Sequence, residues 1–320
     1  MATAFSPANN VTVTSAANFI PEIWSDEIVA AYKRNLVAAN VVKKMNFKGK
    51  KGDTVHIPSP TRGSASAKGA TNAVTLIVNN ESEVQISINK HYEYSRLIED
   101  IVEAQALSSL RSFYTEDAGY ALAKQVDTDL IQLGRIANGG SAGARYDTGY
   151  IGGDGTTAFD YSANSSAGNA TALTDAAIRR TIQRLDDSDV PMDGRFFIIP
   201  PSSRNTLMGL ARYTEQAFVG GTNSTIRTGE IGNLYGIPVF VSSNCDTGSG
   251  TNNPRVCLMG HKDSLVLVEQ MAIRSQVQYQ QPYLATLYTA DTLYGVQILR
   301  SAASTGAAKS ASMFALLVPA

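Results

Sequence analysis

The most regular hydrophobic pattern lies in residues 108–140, where Leu110, Tyr114, Ala118, Leu122, Val126, Leu130, Leu133 and Ala137 recur almost always at steps of four. That spacing predicts one long helix over 109–138. Ser108 or Ser109 serves as its N-cap, Glu116 and Asp117 lie near its start, Arg135 falls in the last turn and Asn138-Gly139-Gly140 stops it. At about 1.5 Å per residue it is roughly 43 Å long, enough to cross a domain. Each step of four overshoots a full turn by about 40°, so the stripe winds and the two halves of the helix face different neighbours.

Ahead of this helix the period changes from helical to alternating. GKKGDTVHIPSP turns at Gly49 to Gly52 and opens a strand over 53–58, and VTLIVNN and SEVQISINKHYEY alternate as strands do. Between them, TRGSASAKGATNA (61–73) is small, polar and turn-rich, which makes a long hairpin with a coreless tip. Such a hairpin is marginal alone and has to lie on something else. LIEDIVEAQAL is expected to be a short acidic helix leading into the long one. Residues 1–17 form an uncharged arm, followed by NFIPEIWSDEIVAAYKRNLVAANVV, where Pro21 can open a helix and Ile20, Ile23, Trp24, Ile28, Ala31 and Leu36 share a face. Trp24 is the only tryptophan in the chain. It is either a core anchor or a plug into a neighbouring subunit.

After Gly140 the chain is rich in Gly, Ser, Asn and Thr to about residue 173, which reads as loop or short hairpin. GYIGGDGTT lacks the GK[ST] of a phosphate loop. A second region follows: a helix in TDAAIRRTIQRLDDSDVP with Thr174 as N-cap, a buried strand in DGRFFIIPP, a helix over SSRNTLMGLARYTEQAF, a turn at Gly232 to Gly236, a strand over 237–242, and two strands in RVCLMGHKDSLVLVEQ. This is a layer with its own core, bounded near 170 and 260. Beyond Met271, AIRSQVQYQQ, LYGVQILR and SMFALLVP read as strands returning beside the long helix. The fold class is α+β.

Composition narrows the function by exclusion. Hydrophobic residues make up 43% and charged residues only 17%, with a net charge of -1, so overall charge points to neither nucleic acid nor membrane. No apolar run is long enough to span a bilayer. Cys245 and Cys257 cannot build a disulfide framework, and His56, His91 and His261 have no metal-ligand spacing. No nucleophile motif is present, so no catalytic residue, cofactor or metal is assigned and the chain does not read as an enzyme. Charge is instead clustered. Residues 33–51 hold Lys33, Arg34, Lys43, Lys44, Lys48, Lys50 and Lys51 and no acid, while Glu99, Asp100 and Glu103 form an acidic group. The basic run faces a polyanion, the acidic patch of another copy or only solvent, and the acidic group is either a solvated helix face or the partner of that run.

Five strings in order, FIPEIWSDEI, GKKGDTVHIP, VQISINKHYEYSRLIED, LAKQVDTDLIQ and above all GEIGNLYGIPVFVSSN, give nearly the whole chain a resemblance to the major capsid proteins of tailed double-stranded DNA bacteriophages, of HK-97-type fold. The resemblance implies an N-terminal arm (1–52), an extended hairpin loop (53–95), a peripheral domain with the spine helix (96–172 and 261–320) and an axial domain (173–260). It implies a structural protein whose pentamers and hexamers close into an icosahedral shell. That shell would be assembled in the host cytoplasm around double-stranded DNA held without sequence specificity. Trp24, Arg62, Lys68, Glu99, Asp100 and Glu103 become expected contacts between subunits, with Lys43, Lys44, Lys48, Lys50 and Lys51 as a basic arm. Partners would be further copies of the chain, a portal, a decoration protein in some shells, and a separate scaffolding protein, since the arm begins near Asn18 without room for a fused scaffold. Some relatives crosslink a loop lysine to a late asparagine; Lys68 is placed for this, yet no asparagine follows Asn253. The alternative of the same fold is an encapsulin-type nanocompartment.

Overall fold

The computed structural model describes residues 36–49, 51–60, 65–70, 73–74, 76, 81–99, 109–137, 151–156, 170–210, 232–245, 254–299 and 312–319. In chain order these give α1 (Ala38–Val41), β1 (Lys43–Asn46), β2 (Thr54–Pro60), β3 (Glu81–Ser87), β4 (Lys90–Glu99), α2 (Ser109–Ala137) and β5 (Ile151–Gly152). Next come α3 (Asp175–Asp187), β6 (Arg195–Ile199), α4 (Pro201–Met208), β7 (Asn233–Leu234), β8 (Ile237–Val241) and β9 (Arg255–His261). The chain closes with β10 (Leu265–Gln280), β11 (Ala285–Ile298) and β12 (Met313–Val318).

A six-stranded sheet, in the order β5-β12-β9-β6-β8-β7, is covered on both faces. Because side chains alternate along a strand, Phe196, Ile198, Leu258, Met313 and Ala315 point to one core, shared with Leu130 and Ile131 of α2. Phe197, Ile199, Cys257, Met259 and Leu316 point to the other, shared with Ala177, Ile178 and Leu185 of α3 and Leu207 of α4. Thr174 caps α3 as its sequence predicts, its hydroxyl accepting from Ala177 N–H. The GNLYGIPV string folds as the β7–β8 hairpin. Tyr235 and Gly236 both take positive φ, 53° and 82°, the geometry of the tight turn whose twist matches that of paired strands. Leu234 and Ile237, paired across it, are both buried.

The second sheet has the order β1-β10-β11-β4. One of its two inner strands, β10, covers 16 residues, at about 3.3 Å per residue roughly 50 Å. Beside it, β2 and β3 pair as a separate antiparallel hairpin. The hairpin's Val55, Ile57 and Ile86 pack, with Ile88, on Val266 and Val268 of β10. Gln270 and Gln297 donate from their side chains to the carbonyls of Gly52 and Gln85. The hairpin base is thus anchored on its own chain.

The winding stripe of α2 divides as its spacing predicts. Ala118 and Leu122 pack on Tyr288 and Ala290 of the four-stranded sheet, whereas Leu130 and Ile131 enter the core against the six-stranded sheet. Gly134 marks the closest approach: a Cβ there would lie 2.9 Å from Leu258 Cδ1 and 3.1 Å from Met313 Sδ. That explains a residue that costs a helix interior about 1 kcal/mol relative to alanine.

Four expectations are corrected. Leu97, Ile98 and Glu99 continue β4 instead of opening a short helix, because they pair in register with Leu287, Thr286 and Ala285. The hairpin partner of β2 is 81–87, not 74–80, and the expected strand over 82–94 breaks at residues 88–89. The helix expected over 202–218 stops at Met208, where the Gly209 N–H bonds back to Asn205 O. Strand β12 returns beside α2 but hydrogen-bonds to β9, so the sheet of the 173–260 region is completed by the chain's last strand.

Candidate functional site

Three features of the four-stranded sheet stand out: a proximal end that is locked, a distal end that is uncovered, and charge placed at both. The lock is built from two buried acids of α2. Asp127 Oδ1 accepts from the backbone N–H of Val37 (3.0 Å) and Ala38 (2.7 Å), and its Oδ2 from Asn244 Nδ2 (2.9 Å). Asp129 Oδ2 accepts from Tyr294 Oη (2.7 Å) and pairs with Lys90 Nζ (3.0 Å), while its Oδ1 accepts from Gln125 Nε2. Burial and the Asp129 carboxylate push the Tyr294 phenol far above its ordinary range, so it stays a donor. Start of the described chain, both sheets and spine helix are tied at one point.

From there β10 loses its cover. Leu265–Val268 are buried, and from Ile273 to Tyr279 every side chain is exposed. Register places Val277 beside Tyr288 and Arg96 on the α2 side, and Gln278 beside Leu287 and Leu97 on the other. Val277, Leu97, Tyr283 and Leu284 are about half to two-thirds exposed (49%, 47%, 68% and 66%), so both faces of the distal end carry uncovered apolar surface. At the hairpin tip Val74 and Leu76 are likewise exposed.

Internal electrostatics hold this distal leaf in shape. Arg274 grips Asp291 through two bonds of 2.7 and 2.9 Å, and His91 Nε2 lies 3.1 Å from the same carboxylate. The Arg274 hydrogen bond, foremost, keeps Asp291 below the usual carboxylate range. On the α2 side the Arg96 guanidinium lies over the rings of Tyr114 (4.6 Å) and Tyr94 (5.4 Å), and Tyr94 Oη donates to Asp117.

The sequence-predicted contacts fall as follows. Lys43 and Lys44 are exposed on edge strand β1, Lys48 and Lys51 on the turn that follows, and Lys68 on the tip; Glu99 is exposed at the end of β4. Lys43 Nζ lies 3.9 Å from Asp263 Oδ1, an exposed and weak pair. Lys43 aligns with Val266 and Glu99 with Ala285, which pairs with Gln280. The described members of the two charge groups therefore sit toward opposite ends of one sheet. Trp24, Arg62, Asp100, Glu103 and Lys50 lie outside the described residues, as do Lys33 and Arg34. Asp127 and Asp129 were not singled out from sequence. Their signal is two acids set among Val126, Leu130 and Ile131 on the apolar side of a helix.

Chemistry at these surfaces is that of contact. Among the described residues no three His, Cys, Asp or Glu side chains gather as a metal site, and none of the helices is long and apolar enough to cross a membrane. Burial raises both thiols, Cys257 to about 12, which leaves neither as a thiolate nucleophile. His261 is structural: its Nδ1 accepts from Asp263 N–H and its Nε2 lies 2.8 Å from Asp193 O.

The chain is similar over 93% of its length to a structure from Mycobacterium phage Che8 (97% of that chain, 22% identity, TM-score 0.71). It is similar over 99% to the capsid structure of the cyanophage P-SCSP1u (99% of that chain, 19% identity, TM-score 0.72). It is similar over 93% to a chain from the mature capsid of bacteriophage PhiM1 (92% of that chain, 14% identity, TM-score 0.68). No curated protein matches the sequence. The phage capsid protein family model matches residues 92–305, and the chain belongs to that family. It is a structural, non-enzymatic subunit of an icosahedral capsid shell, and the nanocompartment alternative is not favoured.

Proposed function

We propose that copies of this chain close as pentamers and hexamers around double-stranded DNA, using the distal leaf and the hairpin as their mutual contacts. One observation carries the reading: the strands of the four-stranded sheet run on past the cover the described residues provide, leaving Leu97, Val277, Tyr283 and Leu284 exposed together with Val74 and Leu76 of the hairpin tip. Surface of this kind is stabilised when a neighbour covers it. The hairpin is the extended loop, Arg62 and Lys68 its contact residues, 173–260 the axial domain and 96–172 with 261–320 the peripheral one, β12 being lent to the axial sheet. Lys43, Lys44, Lys48, Lys50 and Lys51 of one copy pair with Glu99, Asp100 and Glu103 of the next, because within a chain the described members of the two groups lie at opposite ends of the sheet. Assembly takes place in the host cytoplasm with a separate scaffolding protein, and a portal completes the shell.

The test is expression with and without the scaffolding protein, followed by sedimentation and negative-stain imaging. Closed shells are expected. A monodisperse monomer under every condition overturns the reading, and shells that form normally after charge reversal of the five lysines overturn the pairing. Boiled shells should release single chains, since residues 254–320 hold no asparagine for Lys68 to join.

A further inference from the structure

A cleft of about 460 Å³ opens beside the buried lock, walled by Ala123 and Val126 of α2, by Leu267, Ala272 and Ile273 of β10, and by Leu36. Beside it β10 is irregular: its pairing with β11 shifts register between Glu269 and Met271 and again between Met271 and Arg274. The walls are mostly aliphatic, with Asn40, Thr292 and Tyr294 as their uncharged non-aliphatic members. Their one charged member is Glu269, whose carboxylate no described residue pairs.

Leu36, the first described residue, forms part of the wall, so the chain leading to it arrives at the cleft mouth. Upstream, Trp24, Ile28 and Tyr32 precede Leu36 at steps of four, and residues so spaced share one face of a helix. The last member of that face already points into the cleft. In sequence Lys33 and Arg34 stand three and two residues before Leu36, opposite in charge to Glu269. Val37 departs from helical geometry, with φ -124° and ψ -39°. Asp127 holds its N–H and that of Ala38, so the upstream segment need not continue the line of α1 and its point of departure is fixed.

We infer that this cleft is the seat of the apolar face of residues 20–36 of the same chain, with Trp24 as the outer anchor. The arm would then be docked within the subunit before any neighbour arrives, and Trp24 would be a core anchor instead of a plug into the next copy.

The full-length chain carries its own reporter, because Trp24 is its only tryptophan. In the unassembled subunit we expect blue-shifted emission and quenching by acrylamide several-fold weaker than in denaturant, both unchanged on serial dilution. Filling the cleft with the pair Ala123→Leu and Ala272→Leu should shift the emission to the red and raise quenching several-fold. If that pair does not fold, Tyr32→Glu, which leaves the cleft wall intact, should do the same. An exposed tryptophan in the unmodified subunit overturns the proposal. So does burial that appears only as concentration rises, which assigns the cleft to a second copy, and so does burial indifferent to Tyr32→Glu.

Discussion

The two sheets are built from similar strands and treated in opposite ways. In the six-stranded sheet β6 reads RFFII with every residue buried, and each face of the sheet meets a helix of its own chain. In the four-stranded sheet β10 begins equally buried and ends equally exposed. The first is covered on both faces. The second has strands longer than the cover the described residues give it, tied together by cross-strand pairs such as Arg274 with Asp291. Stability and association are thereby assigned to different places, so a substitution should affect one and spare the other.

The sharpest way to break this contrast is to truncate a side chain in each sheet. Phe197→Ala, in the fully covered sheet, should lower the free energy of unfolding by about 3–5 kcal/mol in urea titration. Val277→Ser, in the distal leaf, should stay within about 1 kcal/mol in the free subunit yet slow or abolish shell formation in sedimentation. Equal losses of stability would erase the distinction. Next in size, Asp127→Ala leaves two backbone N–H groups and the Asn244 amide without their acceptor, and should cost about 3 kcal/mol by the same titration.

A smaller effect depends on pH. Asp291 has a folded-state pKa below that of the unfolded chain, through Arg274 first and then His91. Its contribution is therefore present above the unfolded carboxylate value of about 3.9 and is lost as pH falls through the lower folded value. Asp291→Asn should flatten the stability profile of the free subunit in that acid range, as followed by circular dichroism. The smallest expected change in folding comes from shortening residues 61–73 to a tight turn. The hairpin base stays anchored through Val55, Ile57 and Ile86, so the melting temperature should hold nearly constant. Shell formation should fail, since the contact it removes is between copies.

Legibility in the sequence followed the same division. Where one periodicity governs and one partner is buried, residues declare their structure: the steps of four in α2, the Thr174 cap and the Tyr235-Gly236 turn all stand where their patterns place them. Where pairing decides, pattern alone does not. Leu97, Ile98 and Glu99 have the composition of a helix start and become strand because β11 offers them a register. VTLIVNN alternates as well as SEVQIS, yet β2 selects the latter, whose Ile86 can reach Val266 and Val268. Asp127 and Asp129 were concealed for another reason. A carboxylate on a helix reads as solvated until the donors that bury it, drawn from residues 37, 38, 90, 244 and 294, are brought together by the fold.

The double register shift in β10 has one more consequence. Bulges sharpen strand twist, so the leaf beyond Arg274 leaves the plane of the leaf before Glu269 at an angle written into the backbone. Paired residues of β10 and β11 flank that irregularity on both sides, and no rotamer change can unbend it. A flat hexagonal tiling and a curved closed surface make different demands on the dihedral between adjoining tiles. In this subunit the angle between the two leaves is fixed by the backbone register of its own strands.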